Sequence, residues 1–537
     1  MGRSLSLAAV MLVAGAALLV AAALPGHAAG EARKGGTLRY SVPADVDFVD
    51  PALAYFARSW PIGYATCAKL FNYPDAPGTA GTRLVPEVVD RFTVAKDGRT
   101  YTFELKDTFR FHTGTPVTAR SFVDAMNRAA QPKLGSPAIA YMHEIVGADD
   151  VIGGKAQSIS GVRAFGRHRL QIRLTRPLSD LTSRLALPFF CPILPNTSID
   201  PAGVDDPPGS GPYYVSERVV NQRIVLERNR YYRGERPANV DRIVWTIDAH
   251  EACLVAAEQG EIDHCFFGGL GGSSRTLAER YGVNRPGGQF FAHQGLSTWF
   301  IAFNHERPAF KGPGQIPLKQ AINFAIDRPE LVRANGYLAA KRSDRMLPPA
   351  LARPGSIYPL KGADPEAARR LLSRARFQPT RLVLYTNNSP SAVAQAAVLD
   401  FDFRQIGIDL EVKYFDINAL AVKATTQGEP FDLIHQAWAA DYADPAAFFV
   451  PLLAHGSRRV GVNLDDPKVN ARIEAVNRLT GEARRKAWAD LDVDLMRDNP
   501  PWVPLYHPND RSFVSQRLGC ILHHPVYGFD LAAACKK

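Results

Sequence analysis

The chain has 537 residues, 46% hydrophobic and 22% charged, which excludes a single small module, a disordered polymer and a multi-span membrane protein. Basic residues number 63 against 53 acidic ones, a net +10, but they are scattered, with Arg369-Arg370 and Arg458-Arg459 among the densest doublets, a weak footprint for nucleic acid. Six cysteines, none paired at C-x2-C spacing, are too few for a disulfide scaffold and form no zinc ribbon or thioredoxin-type motif.

In chain order, residues 1–30 carry a short basic start at the Met1 amine and Arg3, and an apolar run from Leu7 to Leu24. A Pro25-Gly26 breaker and small residues at Ala28, Ala29 and Gly30 follow. That order is expected of a secretory signal at 1–28, with Gly26 and Ala28 suiting a cut after Ala28 and no nearby cysteine for a lipid anchor. An uncleaved anchor is the alternative, because the run borders on spanning length. The mature chain, losing only Arg3, would be soluble, exported and of net charge +9. Strands are expected at Thr37–Val42 and Tyr101–Lys106, then a helix over Thr118–Ala130 with Thr118 as N-cap and Phe122, Ala125, Met126 and Ala129 on one face. Period-2 runs return at Arg169–Leu174, Ile224–Glu227 and Arg242–Ile247, and Leu318–Arg333 reads as one helix. Strands at Arg381–Tyr385, Asp409–Tyr414 and Phe431–Gln436 surround a helix at Val393–Arg404. This α/β alternation predicts mixed sheets covered by helices, in more than one lobe. Glycine- and proline-rich stretches at 205–212, 268–272, 286–288 and 312–314 read as loops.

Catalytic motifs are missing. Gly209-Ser210-Gly211 lacks the spacing of a nucleophile elbow, and His143-Glu144 and His250-Glu251 meet Gly147 and Leu254 where H-E-x-x-H needs its second histidine. The run 268–272 fails G-x-G-x-x-G at Ser274, and no phosphate loop occurs. His523-His524 would point to opposite faces of a strand, which argues against joint metal binding.

A series of distinctive segments is spread over nearly the whole mature chain. They include Gly35-Gly36-Thr37-Leu38-Arg39-Tyr40, Asp50-Pro51, Leu84-Val85-Pro86-Glu87 and Lys96-Asp97-Gly98-Arg99 through Phe111-His112-Thr113-Gly114-Thr115-Pro116. Gly209 to Tyr213, Gly260-Glu261-Ile262-Asp263, Ala321 to Arg328 and Trp438-Ala439-Ala440-Asp441-Tyr442-Ala443-Asp444-Pro445 continue the series. The series resembles extracytoplasmic solute-binding protein family 5, the peptide and nickel class serving ABC importers. The resemblance implies an α/β, two-lobe type II periplasmic binding protein with an extra inserted domain, cluster C-like. On that template 29–70, 177–250 and 505–537 form the first lobe, 71–176 the extra domain and 251–504 the second lobe.

It also implies a ligand pocket at Trp438–Pro445. A zwitterionic solute loses water at both charged ends, so each end needs a partner inside. Asp441 is expected to take an ammonium, with Trp438 and Tyr442 as an amphipathic wall beside it. His435 stands where some tripeptide-binding relatives carry an arginine, three residues before the tryptophan, and would make a weaker, pH-dependent carboxylate anchor. A disulfide of some relatives would fall at Ser297 and Ala439 and is absent. Cys253 with Cys265 and Cys520 with Cys535 are expected to pair in an oxidising compartment, leaving Cys67 and Cys191 as small buried apolar residues.

The expected function is therefore a periplasmic or otherwise extracytoplasmic receptor, not an enzyme, that captures a peptide-like solute by lobe closure. It would deliver the solute to inner-membrane ABC permease subunits with ATPase subunits. A monomer without cofactor, metal or nucleic acid is expected. A nickel chelate, an oligosaccharide or another small solute is the alternative ligand, with a histidine-poor pocket arguing against metal. An exported hydrolase lacks its nucleophile motif, and a chaperone or sensor role on the same fold is a third reading.

Overall fold

The computed structural model describes residues 33–248, 250–267, 271–457 and 459–537. The expected signal at 1–28 lies outside the described residues, as do 268–270 of the glycine run; Gly271 opens the helix Gly271–Tyr281. Among the described residues no helix is long and apolar enough to cross a membrane.

One strand organises the molecule. Trp502–Val514 is 13 residues long and runs through a 12-stranded sheet. Its first part pairs antiparallel with Ser297–Phe303, setting Trp502 against Ala302 and Tyr506 against Trp299. Its last part pairs with His264–Phe267 and Phe290–Gln294, setting Val514 against His264 and Asp510 against His293. Beyond His264–Phe267 the sheet continues through Thr37–Val42, Arg242–Ile247, Arg223–Arg228 and Tyr213–Val219. On the other side Ser297–Phe303 is followed by Leu433–Ala439, Arg381–Asn387 and Asp409–Phe415. The sheet thus has two halves, each with a parallel pair: Thr37–Val42 with Arg242–Ile247, and Arg381–Asn387 with Asp409–Phe415. Parallel neighbours need a crossover, and in the second half the helix Pro390–Gln405 supplies it. The segment Cys253–Phe267 packs with the first half, because His264–Phe267 pairs with Thr37–Val42.

A separate four-stranded antiparallel sheet holds Val89–Val94, Thr100–Leu105, Arg169–Arg173 and Val162–Phe165. Tyr101, Phe103 and Leu105 alternate inward from one strand, the period-2 pattern of a half-buried sheet. The helix Ala119–Ala130 lies over this sheet, capped by Thr118 with a reciprocal Ser121 bond, and buries Phe122, Ala125, Met126 and Ala129.

Two elements differ from expectation. The single helix read over Leu318–Arg333 is two, Ile316–Ala325 and Arg328–Ala334. Pro329 carries no N–H and clashes one turn back, so the chain breaks before it, and Asp327 caps the second helix by accepting from Glu330 N at 2.9 Å. The strand read as Phe431–Gln436 is Leu433–Ala439, which places Trp438 on it.

The cysteines form three disulfides. Cys253–Cys265 and Cys520–Cys535 pair as expected, with Cα atoms 6.0 and 5.3 Å apart. Cys67 and Cys191, read as unpaired apolar residues, instead form a third bridge at 5.7 Å across a separation of 124 residues. Folding carries the end of helix Trp60–Thr66 to the turn Pro188–Phe190, a proximity that no local spacing encodes.

Candidate functional site

A cavity of about 460 Å³ lies between the two halves, beside the strand Trp502–Val514. Tyr40, Trp245, His264 and Phe266 line it from the first half, and Leu296, Ser297, Trp438 and Asp441 from the second. Asp510 and Ser512 come from the shared strand, Tyr55 to Pro61 from an early segment, and His523 to Phe529 from the C-terminal hairpin. Its size is that of a small-molecule pocket, and aromatic side chains make up much of the wall.

Trp438 lines the cavity with its indole fixed by donation from Nε1 to Ala447 O at 2.7 Å, and the Arg459 guanidinium lies 5.8 Å from the ring centroid. Asp441 also lines it, and its Oδ2 accepts from the Tyr141 hydroxyl at 2.6 Å. Burial raises the Asp441 carboxyl to about 6, against the opposing pull of Tyr141, Arg459 and Tyr55. Tyr141 ends the turn Pro137–Tyr141, next to the four-stranded sheet, so this bond joins parts of the chain 300 residues apart.

The residues just after Asp441 turn away from the cavity. Tyr442 is 4% exposed and donates to Asp180 Oδ2 at 2.6 Å. The Ala443 amide donates to the Tyr73 hydroxyl at 3.0 Å. Asp444 is held by both terminal nitrogens of Arg484, whose Nε donates to Ser179 at 2.9 Å. Tyr442, expected as a wall of the pocket, is therefore one rivet of a clasp running from Asp441 to Asp444.

His435 is placed differently from the expectation as well. It is 1% exposed, its ring packs on Trp299 with centroids 5.0 Å apart, and its Nδ1 lies 3.3 Å from Thr386 Oγ1. Burial lowers its pKa to about 4, so the ring is neutral near pH 7. Successive side chains of a strand alternate between faces, so residues three apart point opposite ways, and with Trp438 in the cavity His435 lies behind it.

Sequence reasoning missed several lining residues. Arg58 is the one Lys or Arg among the described lining residues, is exposed, and lies 5.1 Å over the Phe56 ring. Four histidines, His264, His293, His523 and His524, line the cavity, so the expectation of a histidine-poor pocket does not hold. Burial lowers the pKa of all four, His264 and His524 to about 3, which makes them neutral dipoles rather than charges. His523 and His524 both reach the cavity, stacked on His293 and Tyr527 respectively. Among the described residues no group of three or more His, Cys, Asp or Glu is arranged to hold a metal ion. Asp510 sits in mid-strand and is open to the cavity, while the surrounding protein raises its carboxyl to about 6. The lining thus carries two carboxylates against one guanidinium.

Comparison with known proteins agrees with this architecture. The pattern of a family described as bacterial extracellular solute-binding proteins, family 5 Middle, matches residues 83–458. The chain is 25% identical over 470 residues to the nickel-binding periplasmic protein of Escherichia coli (strain K12), covering 82% of this chain and 84% of that one. It is 26% identical over 435 residues to the periplasmic oligopeptide-binding protein OppA of the same strain, covering 77% of each. The solved structure of clavulanic acid biosynthesis oligopeptide binding protein 2 superposes with a TM-score of 0.84 at 24% identity, over 94% of this chain and 96% of that one.

Proposed function

This chain belongs to the bacterial extracellular solute-binding proteins of family 5, and from that premise we propose that it is the receptor of an ABC importer, enclosing a peptide-like solute between its halves. The observation that carries the reading is the cavity itself: a pocket of about 460 Å³ between the two halves, lined by Asp441, whose carboxylate is fixed by the Tyr141 hydroxyl from a segment 300 residues away. Asp441 would receive the solute's ammonium, sharing it with the Tyr141 and Tyr55 hydroxyls, whose oxygens also accept. Trp438 would pack on the apolar body, and Arg58 at the cavity wall replaces His435 as the partner for a carboxylate. Tyr442 would act on closure through Asp180 instead of touching the solute.

The division into lobes is part of the proposal: one built on the strands around Thr37–Val42, a second on those around Leu433–Ala439, and an extra domain on the four-stranded sheet. Export through the signal at 1–28 would place the receptor in the periplasm as a monomer, handing solute to inner-membrane permease subunits driven by separate ATPases. The relatives are binding proteins rather than enzymes. Native mass spectrometry of the mature protein, followed by denaturation, tests the reading. A short peptide released on denaturation is the expected result; a sugar or a nickel chelate in its place overturns the peptide assignment.

A further inference from the structure

We propose that Asp510 anchors a second, cation-accepting subsite, so that the enclosed solute carries an ammonium or guanidinium group in addition to the one received by Asp441. The inference rests on reading the cavity as the solute site and names the chemistry of what enters it.

The Asp510 carboxylate is exposed to the cavity and has no hydrogen-bond or ion-pair partner among the described residues. A solute filling the cavity displaces the water in front of this carboxylate, which then needs a compensating donor, and the chain supplies none. The space in front of it is open because position 295 is glycine: a Cβ there would lie 3.9 Å from Asp510 Oδ2 and 3.7 Å from the Pro525 carbonyl oxygen. A cation at that point meets one charged and one neutral acceptor together, the pairing an ammonium or guanidinium satisfies. Around it stand aromatic rings whose faces attract cations. Tyr40 stacks on Trp245 and His264 with centroids 4.3 Å away in each case, and His264 meets Phe529 at 4.1 Å. His264 is a second, independent sign of a missing ligand: it is 0% exposed, lines the cavity, and neither ring nitrogen has a hydrogen-bond partner in another residue. An anionic solute would bring a charge of the wrong sign to Asp510, and a neutral one would leave it bare.

Titration calorimetry of the mature protein near neutral pH with three probes, Ala-Lys-Ala, Ala-norleucine-Ala and agmatine, tests the subsite. The lysine peptide is expected to bind about ten-fold or more tightly than its norleucine counterpart, the scale of a charge-assisted hydrogen bond. Asp510→Asn should bring the two peptides level while leaving the norleucine peptide's affinity nearly unchanged, and Asp510→Glu should restore the preference. Equal affinities in the unaltered protein, or a lysine preference that survives Asp510→Asn, overturns the subsite. If neither peptide binds, the peptide reading falls and agmatine decides: binding that Asp510→Asn abolishes keeps the subsite, and no binding rejects it.

Discussion

Asp441 is bonded by Tyr141 and lines the cavity at once, which makes its ionisation a point of control. Its carboxyl stands at about 6, as does that of Asp510, and a cationic group binds the ionised form of each. Solute affinity is therefore expected to fall as pH drops through about 6, and calorimetry at a series of pH values checks it; affinity that rises on acidification contradicts the assignment of both carboxylates. Asp441→Asn should weaken binding about ten-fold or more, since a buried charge-assisted hydrogen bond contributes about 1.5–3 kcal/mol. At this scale the sequence was legible only where a side chain's facing follows from strand period. Trp438 and His435 are a case in which parity alone separates a lining residue from a core one, and it becomes usable once the strand is known to extend to Ala439. Asp510 gave no such signal, because what distinguishes it is the absence of partners from distant parts of the chain.

At the scale of elements, the clasp from Asp441 to Asp444 and the bridge Cys67–Cys191 both tie together segments far apart in sequence. Tyr442→Phe removes a hydroxyl that Asp180 accepts inside the protein, and the loss of such a bond costs about 1–3 kcal/mol. Its expected result is a lower thermal midpoint with the preference among solutes unchanged, read by scanning calorimetry with and without ligand. Thiol titration of the denatured, unreduced protein should count no free thiols, matching the three bridges. Replacing Cys67 and Cys191 together by serine should lower stability by about 2–5 kcal/mol, the scale of a native disulfide that closes a long loop. Local spacing sufficed for Cys253–Cys265 and Cys520–Cys535, whose loops are 12 and 15 residues. It could not reveal the third, and apolar periodicity likewise ran on across the break that Pro329 imposes between two helices.

For the whole molecule, buried titratable groups set the response to acid. His112, His264, His293, His305, His435, His507, His523 and His524 all have lowered pKa values, chiefly through burial. The unfolded chain takes up protons on these rings below about 6.5 while the fold does not, so their contribution to stability is present above that pH and lost as pH falls. Asp402, Asp441, Asp492, Asp510 and Asp530 are raised by burial and act in the opposite sense. Eight histidines against five aspartates predict a net loss of stability between about pH 6 and 4. Thermal scans across that range check this, and a rising midpoint on acidification would falsify it. The α/β alternation was legible from period-2 and helical runs, but the joining of both halves through Trp502–Val514 was not, because a strand serving two halves reads locally like any other.

The two ends of the described chain meet. Arg33 N donates to Lys536 O at 2.9 Å, and Lys536 pairs with Asp263, which leads into the strand His264–Phe267 of the first half. Fluorophores fused at these two ends would keep a fixed separation however the halves move, and energy transfer between them would stay silent on closure. An optical sensor built on this receptor needs one dye at an end and the other on the second half, for which Phe401, 62% exposed on the helix Pro390–Gln405, offers a surface position.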